Sequence, residues 1–251
     1  MTIGVLSALD ILIHLYFGSF YADKAWVFQL LLIPFATAGI YGVIREPAGA
    51  SFIGQAARHY WQVLLPALVL LFAMLATALL IMVPLALAGI PSTPEALSFT
   101  VLGVAFSLAF FSFFYDTAAV FEGRGVFDSL RRSVEFTILN SWKVVQFFVI
   151  CIIATFGIAF AALFVWAMLV ADNLEPLTRM NATEVQTLVP GDLIALLGPT
   201  GVWITALVLM AATILIATLV PAFKACFFRR YAGTRMPVVG EYDEKGRWYK
   251  Y

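Results

Sequence analysis

The sequence predicts an all-α integral membrane fold: about six transmembrane helices arranged as helix hairpins, with two amphipathic helices at the cytoplasmic interface. Three observations lead there. Of the 251 residues, 63% are hydrophobic and 12% charged, against roughly 45–50% and about 25% in a soluble domain. Apolar stretches recur at the length an α-helix needs to cross the hydrocarbon core, about 20 residues. The basic residues are segregated between the connecting loops in the way that sets membrane orientation.

The apolar stretches fall near residues 2–20, 24–44, 61–90, 98–121, 142–171 and 201–227. The third and fifth are longer than a bilayer demands, which predicts tilt, kinks or protruding ends. Pro34, Pro66, Pro84 and Pro221 lie within or near the ends of these runs, as membrane helices allow where neighbours satisfy the freed carbonyl. The first stretch has no positively charged start and is interrupted by Asp10, so it is expected to be retained rather than cleaved as a signal peptide. Because an acid at mid-bilayer is costly, this segment either spans or lies flat at the interface.

Arg45 and Arg58 follow the second stretch, and Arg124, Arg131, Arg132 and Lys143 follow the fourth. Lys224, Arg229, Arg230, Arg235, Lys245, Arg247 and Lys250 end or follow the sixth, leaving Lys24 and Arg179 on the other side. By the positive-inside rule the larger group is cytoplasmic. If the first segment spans, the crossings are six and both termini are inside; if it lies flat, they are five. Trp26 and Trp203 open helices on the outer side, Trp61 and Trp142 on the inner side, as interfacial aromatic residues do.

Both inner loops carry helical periodicity. In residues 126–139, Phe127, Leu130, Val134 and Ile138 form one stripe, while Asp128, Arg131, Arg132 and Glu135 occupy another face. In residues 52–60, Phe52, Ile53, Ala56 and Tyr60 oppose Gln55, Arg58 and His59. Each reads as an amphipathic helix at the membrane surface. The loops also look like copies: a charged glycine-containing turn (45–49, then 122–125), a Phe-led helix, then Trp-polar-Val at 61 and 142. The run PAFKACFFRRYAG closing the sixth stretch is a degenerate third version. Hairpins 1–2, 3–4 and 5–6 follow from this repetition. Residues 1–234 form the transmembrane domain, and the aromatic-rich residues 235–251 form a cytoplasmic tail expected either to pair as two short strands or to dock. The outer segment 172–200 holds four acids, one arginine and the acceptor pattern Asn181-Ala182-Thr183, a pattern short enough to arise by chance.

The polar residues inside apolar stretches are the candidate sites. Asp10 and His14 lie one helical turn apart, as an ion-handling pair or as polar groups satisfied by neighbouring helices. Asp116 and Lys224 interrupt the fourth and sixth stretches at similar depth, where an ion pair would neutralise both. Arg131, Arg132, Arg229 and Arg230 are candidate contacts for lipid phosphates, or ordinary anchoring charges. Cys151 and Cys226 lie in or at the end of apolar stretches and are expected to be buried, inert thiols. Two histidines, His14 and His59, exclude a histidine-rich metal site, and no cofactor is expected.

The segment YDTAAVFEGRGVFDSLRRSVEFTILNSWKVV, residues 115–145, resembles a group of poorly characterised prokaryotic six-helix membrane proteins. That group includes the membrane domain fused to some glycerophosphodiester phosphodiesterases. Its members similarly carry a helix end, a charged glycine turn, an LRRS-like amphipathic helix and an Asn-x-Trp opening, here Asn140 and Trp142. The soluble phosphodiesterase domain is missing, so the resemblance implies the membrane fold and not that activity. Sulfate-permease-like membrane proteins have a similar inner element. The run Gln55–Arg58 resembles the coupling loop of ATP-driven permeases, without its glycine or its spacing.

No metalloprotease, nucleophile-elbow, phosphate-loop or Cys/His metal motif is present. The expectation is a non-enzymatic polytopic protein of the inner (plasma) membrane, acting as a scaffold or as a lipid- or partner-handling module at the inner leaflet. The alternative is a permease or channel for a small solute. Membrane lipids are the expected partners, with a protein partner or a second copy of the chain as further candidates; the zero net charge argues against nucleic acid.

Overall fold

A computed structural model describes residues 19–47, 51–87, 94–178 and 190–233. Every element among them is helical: α1 (Ser19–Arg45), α2 (Phe52–Leu87), α3 (Pro94–Ser112), α4 (Tyr115–Glu122), α5 (Val126–Leu139), α6 (Ser141–Leu169), α7 (Ala171–Thr178) and α8 (Pro190–Tyr231). Four segments are long and apolar enough to cross a membrane: Phe52–Pro84, Val101–Glu122, Ser141–Leu169 and Ala195–Tyr231. Leu30–Arg45 is a shorter apolar helix. Their large apolar side chains point outward, as at Phe72, Leu80, Phe106, Phe156 and Phe160, which is the arrangement required when the surrounding solvent is hydrocarbon. Residues 2–18 of the expected segment 2–20, the glycosylation pattern at 181–183 and the tail 235–251 lie outside the described residues.

The chain divides into two compact units, one of Met1–Ala36 with Phe148–Pro221 and one of Thr37–Phe147 with Ala222–Tyr251. In the first, α8 breaks at Gly198, whose φ of 63° is left-handed and so suits a residue without a Cβ. The Asn173 amide donates to the Leu197 carbonyl beside that break at 2.8 Å. Trp166 Nε1 donates to Thr205 Oγ1 at 2.8 Å.

The second unit holds most of the charge. Its core joins Ala38 and Tyr41 of α1, Val63 of α2, Val120 of α4 and Ala225 of α8. α1 and α2 approach closely at two glycines. A Cβ on Gly39 would lie 2.6 Å from the Phe52 ring, and one on Gly42 would lie 2.6 Å from Gln55 Cβ. A second layer is aromatic: Phe114 stands 4.8 Å from Phe136 and 5.6 Å from Phe147, centroid to centroid, and Phe136 stands 4.9 Å from Phe228.

Three features differ from the sequence reading. The amphipathic helix expected at 52–60 is not separate, because α2 runs unbroken from Phe52 to Leu87; no glycine or proline occurs from Gln55 to Leu65 to end it. The fourth apolar stretch is interrupted at Phe113–Phe114, between α3 and α4. The third difference concerns α5, which forms where expected. Its inward residues are Ser129, Arg132, Ser133, Phe136 and Thr137, while Phe127, Val134 and Ile138 are exposed, Phe127 by 74%. Of the charged residues only Arg132 is buried, beside Phe136 and three hydroxyl side chains, while Asp128 and Arg131 are exposed and much of the apolar stripe faces away from the protein.

Ser133 explains why the break is tolerated. Its hydroxyl donates to the Phe111 carbonyl at 2.9 Å and accepts the Phe114 N–H at 2.9 Å, satisfying one backbone group on each side of the interruption. A buried peptide group left without a partner costs about 1–3 kcal/mol. Ser133→Ala should therefore lower thermal stability in detergent by that order. Ser107→Ala, which removes an exposed hydroxyl bonded only within its own helix, should change stability by no more than about 0.5 kcal/mol. Equal effects of the two would show that Ser133 does not hold the break.

Candidate functional site

The turn 123–125 sets the site up. Gly123, with φ 65°, ends α4 in the left-handed conformation, and Gly125 is the extended residue that starts α5. A glycine just past the end is the usual way to stop a helix, because any Cβ there is strained. The turn places α5 against α3 and α4 and leaves Glu122 at the point where they meet.

Asp116 lies in the first turn of α4, where the helix dipole favours an anion. It is buried, as is Lys224 of α8, each 6% exposed. The Lys224 ammonium stands 2.7 Å from both carboxylate oxygens. The Tyr41 hydroxyl of α1 donates to Oδ2 at 3.1 Å, and the Thr117 N–H donates to Oδ1 at 2.7 Å. The Phe113 ring lies under the ammonium, 4.1 Å from Nζ to the centroid, a cation–π contact that strengthens as water is excluded. Three helices distant in sequence thus meet at one carboxylate.

A second buried cation differs from the expected lipid contact. Arg132 is 1% exposed. Its Nε donates to Glu122 at 3.1 Å, its Nη1 pairs with Glu135 at 3.3 Å and its Nη2 donates to the Ala232 carbonyl at 2.5 Å. It is not placed to meet a lipid phosphate, because its donors are taken up by two acids and the end of α8. Arg131, one residue earlier and about 100° round the helix, is exposed. Arg229 is exposed and donates to the Ile44 carbonyl at 3.3 Å. Arg230 is exposed and lies over the Tyr231 ring.

The first loop repeats the device. Glu46, which follows α1, accepts from Gln55 at 3.2 Å and Arg58 at 3.4 Å, both on α2. Glu122, which ends α4, accepts from Arg124 and from Arg132 of α5. In each case a glutamate at the end of one helix holds an arginine of the next. Arg45 donates to the Val120 carbonyl.

Three buried polar atoms have no hydrogen-bond partner among the described residues: Gln55 Oε1, His59 Nε2 and Thr137 Oγ1. His59 Nδ1 stands 2.8 Å from Gln62 Oε1. Asp10 and His14 lie outside the described residues. The expectation of two buried thiols needs correction: Cys226 is exposed and Cys151 partly so, because both occupy outward faces of apolar helices. No group of three metal-ligating side chains occurs among the described residues. In the first unit, a groove of about 510 Å³ between α6 and α8, lined by residues such as Ala159, Trp166, Thr205 and Ala212, contains no charged group.

Residues 19–231 match the family described as a domain of unknown function, DUF7847. The chain belongs to that family. No curated protein and no solved structure matches it. The family carries no activity in its description, so chemistry must be argued from the site. DUF7847 spans both charged turns, the Asp116–Lys224 pair and the internal arginine.

Sequence reasoning missed Tyr41, Ser133 and Glu122. Only Glu122 left a signal, an acid in a charged glycine-containing turn ten residues before Arg132, as Glu46 lies in one twelve residues before Arg58. The different surroundings of two adjacent arginines give a direct check. Breaking a buried ion pair costs about 3–5 kcal/mol, whereas a surface charge contributes about 0–1. Arg132→Gln should cut thermal stability in detergent heavily, and Arg131→Gln should leave it nearly unchanged. The reverse order would place Arg132 at the surface.

Proposed function

We propose that this member of the DUF7847 family is a non-enzymatic scaffold of the inner (plasma) membrane, with six crossings in hairpins, both termini cytoplasmic and its charged end seated in the inner leaflet. The observation that carries this reading is the internal pairing of the buried charges. Lys224 with Asp116, and Arg132 with Glu122 and Glu135, are neutralised within the protein, which leaves them bound to each other rather than to a passing solute. The outward apolar residues of α5, with Ile53 and Trp61 of α2 and Trp142 of α6, support immersion of this end at the interface. The basic side is then the cytoplasmic one by the positive-inside rule. Handling of lipid or of a partner at that surface is the function such an end supports.

One observation favours the permease reading: the unpartnered Gln55 Oε1, His59 Nε2 and Thr137 Oγ1 are polar atoms that a solute could bind. Proteoliposomes separate the two readings. With single cysteines near Arg124 and near Glu184 in a cysteine-free background, an impermeant reagent should label the two sites from opposite sides. The same vesicles should be no more permeable to protons or small solutes than protein-free ones. A protein-dependent flux abolished by His59→Ala and kept in Arg131→Gln would overturn the scaffold for the permease. Labelling of both cysteines from one side would overturn the topology.

A further inference from the structure

We propose that Lys143 and Arg230, held on the ring of Tyr231, form a binding site for the phosphate of an anionic phospholipid. This deepens the reading above and rests on it for the leaflet.

The observation begins with which cations are already taken. In this unit Arg58, Arg124, Arg132 and Lys224 each meet a carboxylate, and Arg45 and Arg229 donate to backbone carbonyls. Lys143 and Arg230 meet no carboxylate among the described residues; both are exposed, and both turn onto one aromatic ring. Lys143 Nζ lies 4.3 Å from the Tyr231 centroid and Arg230 Cζ lies 5.7 Å from it. The ring is firmly held: Tyr231 packs on Phe227 at 4.9 Å, and Phe227 packs on Phe147 at 4.8 Å, inside the aromatic layer. Cation–π contact fixes where two flexible side chains place their charge and leaves their outward N–H groups unspent. Two cations held against one ring favour an anion that meets both.

The level of the site identifies the anion. Lys143 is the third residue of α6, and apolar residues follow it; Arg230 is the penultimate residue of α8. Trp142, adjacent to Lys143, is 71% exposed, as residues of an interfacial aromatic belt are. The cations therefore stand where headgroup phosphates lie, with the exposed Trp142 and Val145 offering apolar surface to an acyl chain just below. A lysine and an arginine together suit a phosphodiester, the arginine through its planar donors and the lysine as a point charge. A lipid satisfies both the charge and the apolar surface, whereas free phosphate satisfies only the first.

The test uses the full-length protein in neutral detergent, titrated with phosphatidylglycerol or phosphatidylcholine, with bound lipid counted by native mass spectrometry. Wild type should retain phosphatidylglycerol preferentially. Each neutralised charge should weaken that binding about fivefold, and K143Q/R230Q by about 25-fold. K143R/R230K, which keeps both charges, should retain most of it. The wild-type preference should shrink as salt is raised, and inorganic phosphate should not displace the lipid. Equal retention of the two lipids by wild type, or full binding in K143Q/R230Q, would overturn the site. Displacement by inorganic phosphate would make it a free-phosphate site and overturn the lipid assignment. If K143Q/R230Q failed to fold, a preference that persisted unchanged in high salt would count against the proposal equally. A chain that holds no phosphatidylglycerol and passes no solute loses this site and keeps the scaffold reading. One that transports solute and loses lipid in K143Q/R230Q does the opposite.

Discussion

Lys224 lies seven residues before the end of α8, about 10 Å along the helix axis, in a helix whose other faces meet apolar surroundings. An ammonium there needs a counter-charge, and the charged end of the molecule is arranged around supplying one. Asp116 can supply it because α4 begins at Tyr115, which puts the carboxylate in a first turn and turns it toward α8. α4 begins there because the chain breaks at Phe113–Phe114, and that break survives because Ser133 of α5 satisfies a backbone group on each side. Ser133 is in place because Arg132, its neighbour, is locked between Glu122 and Glu135 and bonded to the end of α8. Removing any of these groups strands the next.

This arrangement departs from the usual amphipathic helix. In water, the apolar stripe of α5 would face the core and the charges would face out. Here Arg132, Ser133 and Thr137 face in, and Phe127, Val134 and Ile138 face out. A polar group taken out of water must find its partners in the protein, and Arg132 and Ser133 do. A buried pair of this kind adds little net stability compared with a well-packed apolar pair. What the contacts do is tie α1, α4 and α8 together at one carboxylate, through Tyr41, Asp116 and Lys224. The repeated glutamate–arginine tie at Glu46 and Glu122 does the same for the two turns.

How much of this can be read from sequence depends on which residues disturb the apolar pattern. The long helices are legible from composition and run length. Asp116 and Lys224 are legible because each interrupts an apolar helix at a depth the repeated loops make comparable. The fate of Arg132 is not. Arg131 and Arg132 are identical in type and adjacent, and only the rotation of α5, set by contacts across the fold, decides which is buried. The facing of the Phe127 stripe is ambiguous for a related reason, since an apolar side chain is equally at home against lipid and against protein. The break at Phe113–Phe114 is not legible because it occurs within a run of phenylalanines, with no glycine or proline to mark it. Its partner Ser133 lies nineteen residues away.

The charged end depends on Asp116 and Lys224 forming one buried, mutually neutralising unit. A double-mutant cycle in detergent tests it most directly, with thermal and denaturant stability measured for wild type, Asp116→Asn, Lys224→Met and the double variant. Each single change strands a buried charge and should cost about 3–5 kcal/mol. The double change removes the stranded charge as well, so its loss should fall short of the sum of the single losses by about 1–3 kcal/mol. Strictly additive losses would mean that the two side chains do not meet, and the dependence of the charged end on their contact would be contradicted.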